Sequence, residues 1–209
     1  MLRALRRDCV GEVFSYTFLM DHLQNYANPG GKIGRLLRSG NIVRVKKGLY
    51  VFGKDYRNAP VNRGILANLI YGPSYVSGLY ALSQHELIPE RVETVTSMTT
   101  QRNKAFTTPF GCFEYWYLNQ KRYSVGVDWR PVGEEQWCLF ASPEKALADL
   151  IAKERDLEKE DTILEYLMEN LRIEDSMLRE LNKERMIKIA AAYGTPTVRL
   201  LNQVLMRMT

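Results

Sequence analysis

Lys32, Arg35 and Arg38 recur at every third position, and Lys46 and Lys47 follow a short distance on. Residues three apart lie on one side of a helix, so the first three cations project together. Ile33, Leu36 and Leu37, spaced i, i+3, i+4, form an apolar stripe on the other side. That division suits one chemistry well. An arginine on an exposed helix makes paired hydrogen bonds to guanine in a major groove, and a lysine at a turn supplies a flexible point charge for phosphate.

Other residue patterns that invite chemistry resolve against it. Gly30-Gly31-Lys32 ends as a phosphate-binding loop does, but Ile33 replaces the hydroxyl that would hold magnesium and Tyr26 stands where the first loop glycine belongs. His22 shares a helix side with apolar neighbours, and a lone histidine there reads as packed. His85, with the Ser83 and Ser77 hydroxyls near it, reads as helix surface and packing, since no acid completes a nucleophilic triad. Glu154, Asp156, Glu158, Glu160 and Asp161 read as a solvated turn. Cys9, Cys112 and Cys138 are odd in number and lack the short paired spacings of a zinc site, which predicts buried free thiols in a reducing compartment. The expectation is a non-enzymatic protein with no catalytic residues, no metal and no cofactor.

The cations need elements to place them. Asn28 is a helix cap, Pro29 fits the first helical position, and Gly40 stops the helix. Ile42 to Val45 then alternate, Lys46-Lys47-Gly48 turns the chain, and Leu49 to Phe52 return as a second strand. Upstream, Phe18, Leu19, Leu23 and Tyr26 share a face, predicting a supporting helix over 16–26 capped by Ser15 or Thr17. Helix, turn, basic helix and a hairpin with lysines at its tip read as a winged helix-turn-helix over residues 1–60. The polar segment from Lys54 to Pro60 reads as a linker.

Residues 61–209 read as a second, mixed α/β domain. Helices are expected over 61–71 and 75–87, the second capped by Ser74. A β-rich middle over 92–140 holds strands at 92–100, 110–118, 124–129 and 136–140, with Gln101-Arg102-Asn103-Lys104 as a basic turn. Phe113, Tyr115, Trp116, Tyr117 and Tyr123 offer a stacking platform for single strands, although such a strand is more often sheet core. Ser142-Pro143-Glu144 opens a helix with Ala146, Leu147, Leu150 and Ile151 inward, and from Glu160 onward a run of helices completes a helical end over 142–209. The fold class is α+β.

Charge is unevenly spread over the 209 residues, whose formal net charge is +5. Residues 1–60 hold 11 Lys/Arg against 4 Asp/Glu, a formal +7, whereas residues 61–209 hold 18 against 20, a formal −2. Clustered cations at one end fit a polyanion. No signal-peptide pattern opens the sequence and no apolar run spans a membrane, so a cytoplasmic protein without a membrane partner is expected.

Three stretches together resemble the AbiE abortive-infection antitoxin family of bacterial type IV toxin–antitoxin systems: KIGRLLRSGNIVRVKKGLYVFG at 32–53, LANLIYGPSYVSGLYALSQHELIPERVETVTSMTTQRNKAFTTPFGCFEY at 66–115 and ASPEKALADLI at 141–151. Gly78 and His85 stand where the family pattern carries other side chains. The resemblance implies an autoregulator that represses its own operon. It implies that Lys32, Arg35, Arg38, Arg44, Lys46 and Lys47 contact operator DNA, and that the C-terminal antitoxin domain counteracts a nucleotidyltransferase-type toxin without a stable complex. Two other readings compete: an RNA-binding adaptor using Arg102, Lys104 and the aromatic strand, and an enzyme reversing the toxin's chemistry.

Overall fold

The computed structural model describes residues 1–133 and 135–208. It is a mixed α+β chain with a helical C-terminal end. Among the described residues no helix is long and apolar enough to cross a membrane.

The first unit contains α1 (Leu2–Asp8), β1 (Val13–Ser15), α2 (Tyr16–Asp21), α3 (Pro29–Arg38), β2 (Ile42–Lys46) and β3 (Leu49–Phe52). Ser15 caps α2 by accepting from the Phe18 amide. The helix is shorter than the expected 16–26. Beyond Asp21, Leu23 bonds to Met20 and Tyr26 to Leu23, three residues back each time, so the chain tightens into turns.

In α3 the Asn28 side chain accepts from the Gly31 amide at 2.8 Å, with Pro29 in the first turn. At its other end Ser39 is the cap and Gly40 takes φ +71°. The Gly40 amide reaches the Leu37 carbonyl and the Asn41 amide the Leu36 carbonyl, the paired bonds of a Schellman ending.

The three strands form an antiparallel sheet in the order β1-β3-β2. Alternation splits β3 between two cores. Tyr50 and Phe52 pack with Phe14, Leu19, Ile33, Leu36 and Ile42, whereas Leu49 and Val51, joined by Val45 of β2, belong to the core of the second unit. The small sheet is thus a wall buried on both faces.

The linker expected at 54–60 is pinned. A short 3-10 turn covers Lys54–Tyr56, Arg57 donates to the Phe52 carbonyl at 2.9 Å, and the Asn58 and Ala59 amides both donate to Oε1 of Glu12. Glu12 is buried and its other oxygen meets Arg6 at 2.8 Å. This carboxylate ties α1, the entry to β1 and the connecting segment together.

The second unit is built on a six-stranded sheet in the order β6-β7-β5-β4-β9-β8, with parallel pairs β5/β7 and β4/β9. Its strands are β4 (Ser74–Val76), β5 (Val95–Thr99), β6 (Lys104–Thr108), β7 (Gly111–Tyr117), β8 (Val127–Gly133) and β9 (Gln136–Ala141). Helix α4 (Arg63–Ile70) precedes them, α5 (Gly78–Gln84) and α6 (Gln120–Tyr123) fall between them, and α7 (Pro143–Ile151) follows β9. Then come α8 (Glu160–Glu165), a π turn over Tyr166–Asn170, α9 (Asp175–Glu180), α10 (Lys183–Tyr193) and α11 (Pro196–Arg207).

Three expectations change here. Ser74 does not cap a helix over 75–87, because Ser74–Val76 is a buried inner strand and α5 begins only at Gly78, whose φ of +60° turns the chain out of the sheet. Lys104 leaves the basic turn and opens edge strand β6, which pairs with β7. The strand expected at 124–129 runs from Val127 to Gly133.

Candidate nucleic-acid interface

The structure places Arg35 and Arg38 exposed on α3, opposite the buried Ile33 and Leu36. Lys32 is half-buried, its ammonium 5.5 Å from the Tyr26 ring centroid. Arg44 is exposed in β2, and Lys47 is exposed in the turn between β2 and β3. Among the described residues Arg35, Arg38, Arg44 and Lys47 enter no ion pair. Their charges are therefore not consumed by the fold.

Lys46 differs from the rest. The expectation of two lysines at the hairpin tip holds for Lys47, but Lys46 ends β2 just past a bulge, and its ammonium donates to the Ile70 carbonyl at the end of α4. Burial, and then repulsion from Lys104, pull its pKa below the usual lysine value. Its place is the junction between the units.

α3 also carries glycines. Gly30 and Gly31 lie in its capped first turn, and a methyl group added at Gly34 would meet nothing within 4 Å. The fold does not demand Gly34. A mid-helix glycine costs about 1 kcal/mol relative to alanine, so its smallness suits a surface that another backbone approaches closely.

The aromatic platform is divided. Phe113 and Tyr115 are buried, the Tyr115 hydroxyl donating to the Ala67 carbonyl at 2.6 Å. Trp116 and Tyr123 are half-buried, and Lys153 lies 4.0 Å from the Trp116 ring centroid. Tyr117 is the exposed member. Alternation along β7 also explains Cys112: with Phe113 and Tyr115 inward, Cys112 faces out and is exposed, a correction to the expectation of three buried thiols. Cys9 and Cys138 are buried, and burial pushes the Cys138 thiol up to about 11.

The histidines are structural. His22 places its ring nitrogens 3.0 Å from the Phe18 carbonyl oxygen and 3.1 Å from the Asp8 carboxylate. His85 ends α5 with Nε2 at 2.8 Å from the Ala141 carbonyl oxygen and its ring edge-on to Phe140. Ser83 donates to the Glu90 carbonyl at 2.7 Å.

One polar cluster escaped sequence reasoning. Lys145 and Asp149, one turn apart on α7, are both fully buried, with 3.3 Å between Nζ and Oδ1. Ser77 donates to Asp149 at 2.6 Å and Tyr75 at 2.9 Å, the Tyr193 hydroxyl also donates to it, and Lys145 donates to the Arg122 carbonyl at 2.5 Å. Burial lowers the Lys145 pKa and raises those of Tyr75 and Tyr193. An i, i+4 pair of opposite charges reads as a surface pair from sequence; the signal present was the apolar run on every side of it. No solvent reaches either charge, so the cluster is internal scaffolding.

No family model matches the chain, and no curated protein matches it. Among solved structures it is similar to the crystal structure of RV2827C protein from Mycobacterium tuberculosis, with a TM-score of 0.50 and 16% identity, covering 99% of this chain and 79% of that chain. A likeness at that identity concerns the fold alone.

Proposed function

We propose that this chain is a DNA-binding regulator and antitoxin of the AbiE kind. Residues 1–60 act as a winged helix-turn-helix on operator DNA, and residues 61–209 oppose a nucleotidyltransferase-type toxin without doing chemistry themselves. The observation that carries the DNA-binding part is the exposed row of Arg35 and Arg38 on α3, in no ion pair among the described residues, followed directly by a hairpin with Lys47 at its turn. The order of α2, α3, β2 and β3 is the order such a motif needs. In this reading α3 enters the major groove, Arg44 and Lys47 meet the neighbouring backbone, and repression follows from occupying the operator.

The antitoxin part rests on the resemblance over 66–115 and 141–151. The test joins both halves: full-length protein should bind the duplex upstream of its own gene in a salt-dependent way, and should restore growth to cells expressing the neighbouring nucleotidyltransferase gene. Arg35→Ala/Arg38→Ala should abolish the first property and spare the second. A folded wild-type protein with no affinity for that duplex at low salt would end the DNA-binding reading.

A further inference from the structure

A cavity of about 190 Å³ opens at the first turn of α4, between that helix, α5 and the β8–β9 hairpin, with Asn62, Gly64, Tyr80, Gln84, Arg130 and Cys138 in its wall. No Asp or Glu lines it among the described residues. Arg130 brings a permanent positive charge. Its guanidinium carbon lies 4.7 Å from the Phe140 ring centroid and Nη2 donates to the Gln84 carbonyl at 3.2 Å, but Nη1 is buried with no hydrogen-bond partner among the described residues. A buried guanidinium N–H without an acceptor is costly, so an acceptor from outside the chain would stabilise it.

Two further donors in the same wall have nothing to donate to. Tyr80 is only 8% exposed, and its hydroxyl enters no hydrogen bond among the described residues. Asn62 caps α4 by accepting from the Ile65 amide at 3.1 Å, which commits Oδ1 to the helix and leaves the side-chain NH2 without an acceptor among the described residues. The start of α4 adds the partial positive charge of its own unpaired amides. Gly64 lets this turn sit close to β9: a Cβ there would come 3.0 Å from Cys138 Sγ and 3.1 Å from Asn62 Oδ1. Burial raises the Tyr80 pKa and pushes the Cys138 thiol up to about 11, so neither puts a negative charge into the cavity near neutral pH.

Charge and size together choose the ligand. One guanidinium and about half a charge from the helix end come to roughly +1.5. A phosphate group carries about −1.5 to −2 at pH 7 and matches this better than a carboxylate with its single charge. The 190 Å³ fall short of the roughly 300 Å³ at which sites for larger ligands begin, so a phosphate fits and a whole nucleotide does not. The cavity is also remote from the basic hairpin. Lys46 meets the other end of α4, at Ile70, roughly 12 Å along the helix axis.

The geometry points to a binding site for a small phosphate, free or as the end of a phosphomonoester, held by Arg130, the Tyr80 hydroxyl, the Asn62 side-chain amide and the first turn of α4. Isothermal titration calorimetry of the full chain with inorganic phosphate, ribose 5-phosphate and acetate, at matched ionic strength, tests this. At least one of the two phosphate compounds should bind saturably, at one site per chain, and acetate should not. Binding of ribose 5-phosphate, with or without the free ion, shows that the site takes an ester end; binding of inorganic phosphate alone shows a site for the free ion. Tyr80→Phe removes only the hydroxyl and should weaken binding about tenfold. Asn62→Asp keeps the capping oxygen and puts an acid at a helix N-terminus, so the melting temperature should hold or rise while phosphate binding is lost. Arg130→Gln should lose it as well. No saturable binding of either phosphate compound, acetate binding as tightly as phosphate, or undiminished phosphate binding in folded Asn62→Asp and Tyr80→Phe would each overturn the site.

Discussion

Lys145 and Asp149 face each other inside a helix that has no exposed side, where each charge depends on the other and on the hydroxyls of Tyr75, Ser77 and Tyr193. Removing one member of a buried pair leaves the other uncompensated, which costs about 3–5 kcal/mol. Lys145→Met should therefore lower unfolding free energy by that amount in urea titration. Lys145→Met/Asp149→Leu should recover part of the loss, because both desolvation penalties disappear together; a single variant costing under about 1 kcal/mol would mean that water reaches the pair. His85 carries a pH signature of its own. Burial holds its imidazole below the ordinary value, ahead of the opposing Ala141 hydrogen bond. Its neutral form is the folded form, so its stabilisation is fully present above the unfolded value of about 6.5 and is lost as pH falls towards the folded pKa. The melting temperature should drop across that acid window in wild type and drop less in His85→Gln, whose side-chain amide still donates to Ala141. Equal pH slopes would remove His85 from the account.

At the scale of elements, the proposed function gives α3 and the β2–β3 hairpin different tasks on DNA, and substitutions should separate them. Arg35→Ala should cost about 1–3 kcal/mol on the operator and relax base preference at one position. Lys47→Ala should weaken all duplexes alike and reduce the salt slope by about one unit. The reverse pattern, measured on operator and scrambled duplexes, would move the reading element to the hairpin. Gly34 sharpens the same point, because open space surrounds the position where a methyl group would go. Gly34→Ala should stabilise the protein by about 0.5–1 kcal/mol and yet weaken duplex binding, a combination that a purely structural glycine does not produce. These local features were legible in the sequence because each rests on neighbours along the chain: the Asn28 cap, Pro29, the Gly40 ending and the Ser142 cap of α7 all formed as read. What was not legible depends on distant partners. Ser74–Val76 is a strand because β5 and β9 flank it, and Lys46 leaves the tip because the Ile70 carbonyl awaits it.

At the scale of the molecule, the boundary near residue 60 separates two sequence patterns but not two independent cores. Val45, Leu49 and Val51 lie in the first unit by sequence and in the core of the second by packing, while Tyr50 and Phe52, from the same strand, close the first core. Glu12 holds the connecting segment through the Asn58 and Ala59 amides. A fragment of residues 1–60 would expose three buried apolar side chains, Val45, Leu49 and Val51, so its isolated binding is a poor test of the intact protein. The coupling has a direct readout, because all three tryptophans, Trp116, Trp129 and Trp137, lie in the second unit. Leu49→Ala, which truncates a buried side chain of the hairpin, should cost about 2–5 kcal/mol. With the two cores sharing one wall, that loss should appear in tryptophan-monitored unfolding of the second unit, in the same single transition seen by circular dichroism. A tryptophan transition left at its wild-type midpoint while the dichroism signal shifts would mean that the sheet belongs to the first unit alone, and the hairpin would then reach DNA without the second unit behind it.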